Sequence, residues 1–178
     1  MASTTIPATF EWGSAAAGEA GPAARMTQAE LLARVDEGWR SFREAVRHVG
    51  RARIDEPTGG GWSYHDLFAH IAGWHDLTAR RMRVYRTEGR FPGYNEGVGG
   101  IAPFKDADEF NARVVSSHRL VGPEALTDEL DTTFRALRAE VAQLSDEQVR
   151  ANAGWVIAVT GGNTYGHYEE HATELGLE

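Results

Sequence analysis

Two capping boxes, each followed by apolar residues at helical spacing, leave this chain little choice of fold class. In the run from Thr27 to Glu30, the threonine hydroxyl can accept the backbone N–H three residues on, while Glu30 reaches back to the amide of Thr27. Leu31, Leu32, Val35, Trp39, Phe42, Val46 and Val49 then fall on one helical stripe, and Gly50 is a natural stop. Pro57 and the glycines 59–61 mark a loop, after which Ser63 and Asp66 form a second box. Leu67, His70, Ile71, Trp74, Leu77, Met82 and Tyr85 extend a second helix, on the order of 35 Å long, that ends before Gly89.

The remaining segments follow the same logic with weaker signals. From Asp106, the residues Phe110, Val114 and Val115 predict a short helix broken at Gly122 and Pro123. A longer helix carries Leu126, Leu130, Phe134, Leu137, Val141 and Leu144, and Ser145 starts a capped final turn. The apolar run from Trp155 to Val159 is too short to classify by period and reads as a buried linker or an extended segment. Asn163 or Thr164 is the expected cap of the last helix. The expectation is therefore an all-α four-helix bundle over residues 26–178, with a long aromatic loop (89–105) between the second and third helices. A long loop holding Phe91, Tyr94, Ile101 and Phe104 reads as a lid. Residues 1–25, rich in Ala, Gly, Ser, Thr and Pro, read as a flexible tail in which Phe10 and Trp12 form an aromatic pair able to dock.

Composition narrows the chemistry. The 178 residues suit one domain with a short appendage. The absence of cysteine excludes disulfides, thiolate catalysis and thiolate metal sites, so a metal would need His, Asp, Glu, carbonyl or water ligands. A net charge of −8 argues against nucleic acid, whose affinity for proteins comes mostly from Lys and Arg. No segment approaches the roughly 18 apolar residues of a membrane span. The first residues lack the basic start and apolar block of a secretory signal, so the expected compartment is the cytoplasm.

Two stretches carry a resemblance. The run from Trp62 to Asp76 resembles the second-helix signature of DinB-like four-helix bundles, with a Trp and a small hydroxyl residue opening the helix and His70 two turns in. The run from Thr160 to Tyr168 is similar to the start of the last helix in a narrower branch, the ClbS/DfsB family, as is the stretch from Pro92 to Glu96. The wider superfamily implies a divalent metal (zinc, nickel or iron) held by one histidine of the second helix and two of a later one, and dimers are common in it. The branch implies protection of a producing cell from a reactive natural product, its namesake activity being hydrolysis of a strained cyclopropane. The branch usually continues its last helix further, with a histidine beyond the point where this sequence ends at Glu178.

The candidate site combines the two sources. His167 and His171, at i and i+4, share one helical face and can share a ligand. With His70 opposite them they would form either a three-imidazole metal site with open positions or a metal-free polar pocket, while the bland alternative leaves all three as structural histidines. Asp66, one turn before His70, is the expected acceptor of its free N–H. Glu170 is the expected general base, ahead of Glu169, which points away from His167. Trp62, Trp74, Tyr94, Asn163 and Tyr165 would wall a pocket for a flat or apolar compound. His48, His65, His75 and His118 read as structural, with His65 at the surface.

Three functions fit this set. The first is a hydrolase that opens a strained electrophilic small molecule for self-protection, with no cofactor required and His70, His167 and His171 in the catalytic roles. The second is a module that traps such a compound stoichiometrically. The third, implied by the wider superfamily, is a metal-dependent transferase or isomerase using a small thiol.

Overall fold

Both predicted capping boxes form. In the computed structural model, which describes residues 25–176, Thr27 and Glu30 cap helix α1 (Gln28–Val49), and Ser63 and Asp66 cap helix α2 (Tyr64–Glu88). Gly50 and Gly89 terminate them with φ of 63° and 70°, backbone angles that favour glycine. Helix α3 (Ala107–His118) is capped by Asp106, and α4 (Pro123–Val141) opens with proline in its first turn. Helix α5 (Asp146–Gly162), α6 (Tyr165–Glu170) and α7 (Ala172–Leu175) complete the chain. Among the described residues the fold is all-α, with no strand beyond a single bridge between Pro57 and Ser63. The expected tail, with Phe10 and Trp12, lies almost entirely outside the described residues.

Helix α2 is the axis of the molecule. Residues 67–72 are all buried, so the helix is surrounded rather than one-sided. It packs along α4, with α3 on a further face, while α1 packs against α5 and α6. One half of the core joins Phe42, Leu67, Phe68, Ile71, Leu126 and Tyr168, and the other joins Leu31, Met82, Leu137, Val141, Val149 and Val156. Trp39 touches both and stacks on Phe134 at 4.1 Å.

Two expectations need correction. The segment from Trp155 to Val159 is helical, not extended: it lies in α5, which Ser145 and Gln148 cap. Its β-branched residues are poor helix formers, but Val156, Ile157 and Val159 are all buried, and burial outweighs propensity. Helical geometry lapses at residues 151–154, where Asn152, Ala153 and Gly154 have positive φ. Thr164 holds the N-cap position of α6, as one of the two expected, but neither its side chain nor that of Asn163 bonds to the first amides of that helix. Asn163 Nδ2 donates to the Val159 carbonyl at 2.9 Å and Thr164 Oγ1 to the Thr160 carbonyl at 2.7 Å, so both satisfy the open end of α5 instead.

The aromatic loop is a docked layer on α2. Trp74, Leu77, Val98, Phe104 and Phe110 form a third buried cluster, with Tyr94 and Ile101 against it. The Arg81 guanidinium, almost fully buried, donates to the carbonyls of Gly93 and Tyr94, and Arg80 reaches the carbonyl of Gly99. The loop also folds on itself through Phe104 N–H to Asn95 O at 3.2 Å. Gly97 makes that fold sterically feasible, since a Cβ there would lie 2.2 Å from Ile101 O and 2.5 Å from Pro103 N. Backbone cannot yield as a side chain does, so Gly97→Ala is expected to destabilise the protein by about 2 kcal/mol and to lower Tm by roughly 5 °C. Thermal denaturation followed by circular dichroism checks this.

Candidate functional site

His70 comes from the second turn of α2, His167 from the middle of α6, and His171 from the bend between α6 and α7. The bend keeps the i, i+4 relation, because His171 N–H still meets His167 O at 3.4 Å. One ligand-capable atom from each of the three rings lies within 4.8 Å of the others. His70 Nε2 and His167 Nε2 are 2.7 Å apart, and the His70 and His171 ring centroids are 5.4 Å apart. Trp62 covers the group, its ring 4.7 Å from His70 and stacked 6.4 Å from His171.

Hydrogen-bond partners orient two of the rings. Asn111 Oδ1 lies 2.9 Å from His70 Nδ1, and Glu174 Oε2 lies 2.6 Å from His171 Nδ1. A neutral imidazole that donates through Nδ1 keeps its lone pair on Nε2. Burial holds the His70 imidazole down to about 3, with the nearby His171 adding to the effect. Burial likewise pushes His167 well below the ordinary imidazole range, and His70 and His171 push it the same way. Two buried rings that stay neutral, His70 and His167, converge with His171 on one point, and an amide and a carboxylate hold the outer nitrogens of His70 and His171; that donor set fits a divalent metal ion. His167 Nδ1 is buried without a partner, and the ring's hydrogen bond runs through Nε2 to His70 Nε2, so with the His70 lone pair on Nε2 the metal-free His167 donates there and a metal ion would replace that proton.

The other expected site residues divide. Trp74 is linked to His70 through Asn111, to which its indole Nε1–H donates at 2.9 Å. Tyr94 stacks on Trp74 at 6.0 Å and so stands one ring further from the histidines, inside the loop cluster. Asn163 is buried, with its amide nitrogen donating to the Val159 carbonyl of α5. Tyr165 faces the other side of α6: its ring lies under the Arg34 guanidinium and lines a cleft of about 350 Å³ with Gly38, Ser41, Phe42 and Glu169. Glu170 is exposed and outside the three-ring group, sharing with it only an electrostatic interaction with His171. Asp66 does not reach His70, because its carboxylate accepts from Ser63 N–H at 3.3 Å in the capping box.

The histidines expected to be structural, His48, His65, His75 and His118, lie outside the three-ring group, and two of them are more deeply placed than the sequence indicates. His65 is buried with Nε2 2.8 Å from Val121 O, so it is not at the surface. His75 is fully buried, its Nε2 2.8 Å from the Tyr168 hydroxyl. Sequence reasoning missed Asn111 and Glu174. The i, i+3 spacing of Glu174 from His171 was a usable signal, whereas nothing in the sequence places Asn111 beside a residue 41 positions away.

Comparison with known proteins bears on the fold. The fold is similar to that of the colibactin self-resistance protein ClbS, in a crystal structure with a dsDNA, at TM-score 0.71 and 16% identity, covering 85% of this chain and 94% of that one. It is similar to an uncharacterised Escherichia coli UTI89 protein at TM-score 0.69 and 18% identity, covering 85% and 91%. It is also similar to DfsB, a sibling lethal factor precursor, at TM-score 0.69 and 11% identity, covering 85% and 94%. No curated protein matches the sequence. The sequence pattern of one family spans residues 23–173, and the chain accordingly belongs to the DinB superfamily.

Proposed function

We propose that this protein protects a cell from a reactive electrophilic small molecule by adding water to it at the three-imidazole centre. The observation that carries the reading is the convergence of His70, His167 and His171, with the lone pairs of His70 and His171 left open by Asn111 and Glu174. The similarity of the fold to ClbS, a colibactin self-resistance protein, supports a self-protective role, and the resemblance of the run from Thr160 to Tyr168 to the ClbS/DfsB family implies a substrate with a strained small ring.

The chain's own groups would act on a water molecule and on the compound. His171, the least buried of the three rings and paired through Nδ1 with Glu174, would accept the water proton as the oxygen bonds to a ring carbon. The strained bond breaks, its electron pair passes to the other carbon, and a proton returns to that carbon. Trp62, half-buried over His70 and His171, offers a flat apolar face for the compound. A divalent ion held by His70, His167 and His171 would supply Lewis acidity to the same reaction.

The test uses untagged protein and elemental analysis, then a panel of cyclopropane and related electrophiles with products weighed for added water. The expected result is more than one turnover per protein and loss of at least about 100-fold in rate for His70→Ala. A single equivalent consumed would favour trapping without catalysis, and unchanged compounds would overturn the reading. Zinc, nickel or iron at one per chain, and loss of activity on chelation, would assign the metal. ClbS was crystallised with dsDNA, so a duplex oligonucleotide belongs among the ligands tested. The net charge of −8 leads us to expect binding only at low salt.

A further inference from the structure

Asn111 receives two donors on one atom. Its Oδ1 lies 2.9 Å from Trp74 Nε1 and 2.9 Å from His70 Nδ1. An indole nitrogen can only donate, so the Asn111 atom facing Trp74 must be the carbonyl oxygen and not the amide nitrogen. That oxygen can only accept from His70, so the His70 proton must sit on Nδ1. The lone pair is then on Nε2, the atom that faces His167. The chemistry of Trp74 thus determines the tautomer of His70 through Asn111.

The fold delivers this amide from a different helix. Phe110, the preceding residue, is buried among Trp74, Phe104 and Leu77, which anchors α3 against α2. Gly73 lets the two helices approach: a Cβ there would lie 2.7 Å from a methyl group of Val114. The docked loop and α3 therefore share one apolar cluster with Trp74, beside the Asn111 contact to His70.

We propose that Asn111 is the positioning residue of the centre, holding His70 as the Nδ1–H tautomer with the Nε2 lone pair turned toward His167, where a ligand would replace the His167 proton. This rests on reading the three imidazoles as a site for a divalent ion. An amide does this without placing a charge beside a ring that burial keeps neutral, in contrast to the carboxylate of Glu174 beside the less buried His171.

The test has two readouts on the full chain. Long-range nitrogen–proton NMR of the metal-free protein at neutral pH is expected to show His70 with its proton on Nδ1. In Asn111→Ala that signature is expected to vanish or mix with the Nε2–H form, while Asn111→Asp, which keeps the acceptor, retains it. Zinc affinity, measured by competition with a chromophoric chelator, is expected to fall roughly 10–100-fold in Asn111→Ala and not in Asn111→Asp. Trp74→Phe, which frees the amide to flip, is expected to fall between. A purely structural Asn111 would lower Tm while leaving tautomer and affinity unchanged, and that result overturns the proposal. An Nε2–H form of His70 in the unaltered protein also overturns it. If the unaltered protein takes up no metal, the divalent-ion reading of the three imidazoles fails, and the tautomer spectra alone decide the role of Asn111.

Discussion

The metal-free protein is expected to unfold cooperatively between about pH 5 and pH 4 at 25 °C, driven by its histidines where its carboxylates are only beginning to take up protons. Three buried imidazoles set this. Burial pushes His75 down to about 3, and His70 to the same level with His171 adding to the effect. His167 is pushed well below its ordinary value, burial first. In the unfolded chain each returns to an ordinary imidazole near 6.5. Below that value the unfolded state binds protons that the native state refuses. The stabilisation is complete above about pH 6.5 and is lost as pH falls toward 3. Each such ring contributes a slope of roughly 1.4 kcal/mol per pH unit. Over two units, three rings remove about 8 kcal/mol, comparable with the 5–15 kcal/mol that stabilises an ordinary domain.

Denaturant titrations at pH 7.5, 6.5, 5.5 and 4.5 measure that slope directly. It is expected to approach three protons per molecule below pH 6, and to fall by about one proton in His75→Gln, which keeps a polar partner for Tyr168. A divalent ion that binds only the native state should move the acid midpoint lower, since at 100 times its Kd it adds about 2.7 kcal/mol. Stability that is flat down to pH 4.5 would mean that these rings take up protons inside the fold, and the neutral-imidazole account of the site would be wrong.

The same histidines mark how far the sequence could be read. Thr27, Ser63 and the glycines that close α1 and α2 act locally, through hydrogen bonds within four residues, so their roles were visible in the chain itself. Val156, Ile157 and Val159 were not, because their helical state depends on neighbours from other helices. The i, i+4 pair His167 and His171 was legible as a shared face, but its meeting with His70 spans 97 positions and was reached through family resemblance, not spacing. Asp66 was assigned to His70 by proximity on α2, yet its carboxylate was already committed to the cap. The true partner of His70 lies on α3, and no local pattern announces a helix–helix hydrogen bond.

Arg81 shows the same limit and carries the second large expected effect. Nothing in the sequence separates it from its neighbours Arg80 and Arg83, but only Arg81 is almost fully buried. Burial lowers its guanidinium to about 10, with Tyr94 and Glu96 opposing. Its hydrogen-bond partners are the carbonyls of Gly93 and Tyr94, and the Tyr94 ring lies 5.8 Å from its guanidinium carbon. The cation is therefore paid for by loop backbone, and removing it leaves those carbonyls without their charged donor. Arg81→Ala is expected to cost about 3 kcal/mol, since hydrogen bonds to charged groups are worth roughly 1.5–3 kcal/mol each and a cavity is added. The loss should be local first. Residues 89–105 should become open to protease and fast in hydrogen exchange while α1, α2 and α4 stay protected. Arg81→Met, which restores volume without donors, separates packing from hydrogen bonding and should recover only part of the loss. Because the loop cluster contains Trp74, which shares Asn111 with His70, undocking the loop should also weaken divalent-ion affinity, although Arg81 touches none of the three imidazoles. Ion affinity unchanged in a variant whose loop has become protease-sensitive would show that the histidine centre is held by α2 and α6 alone.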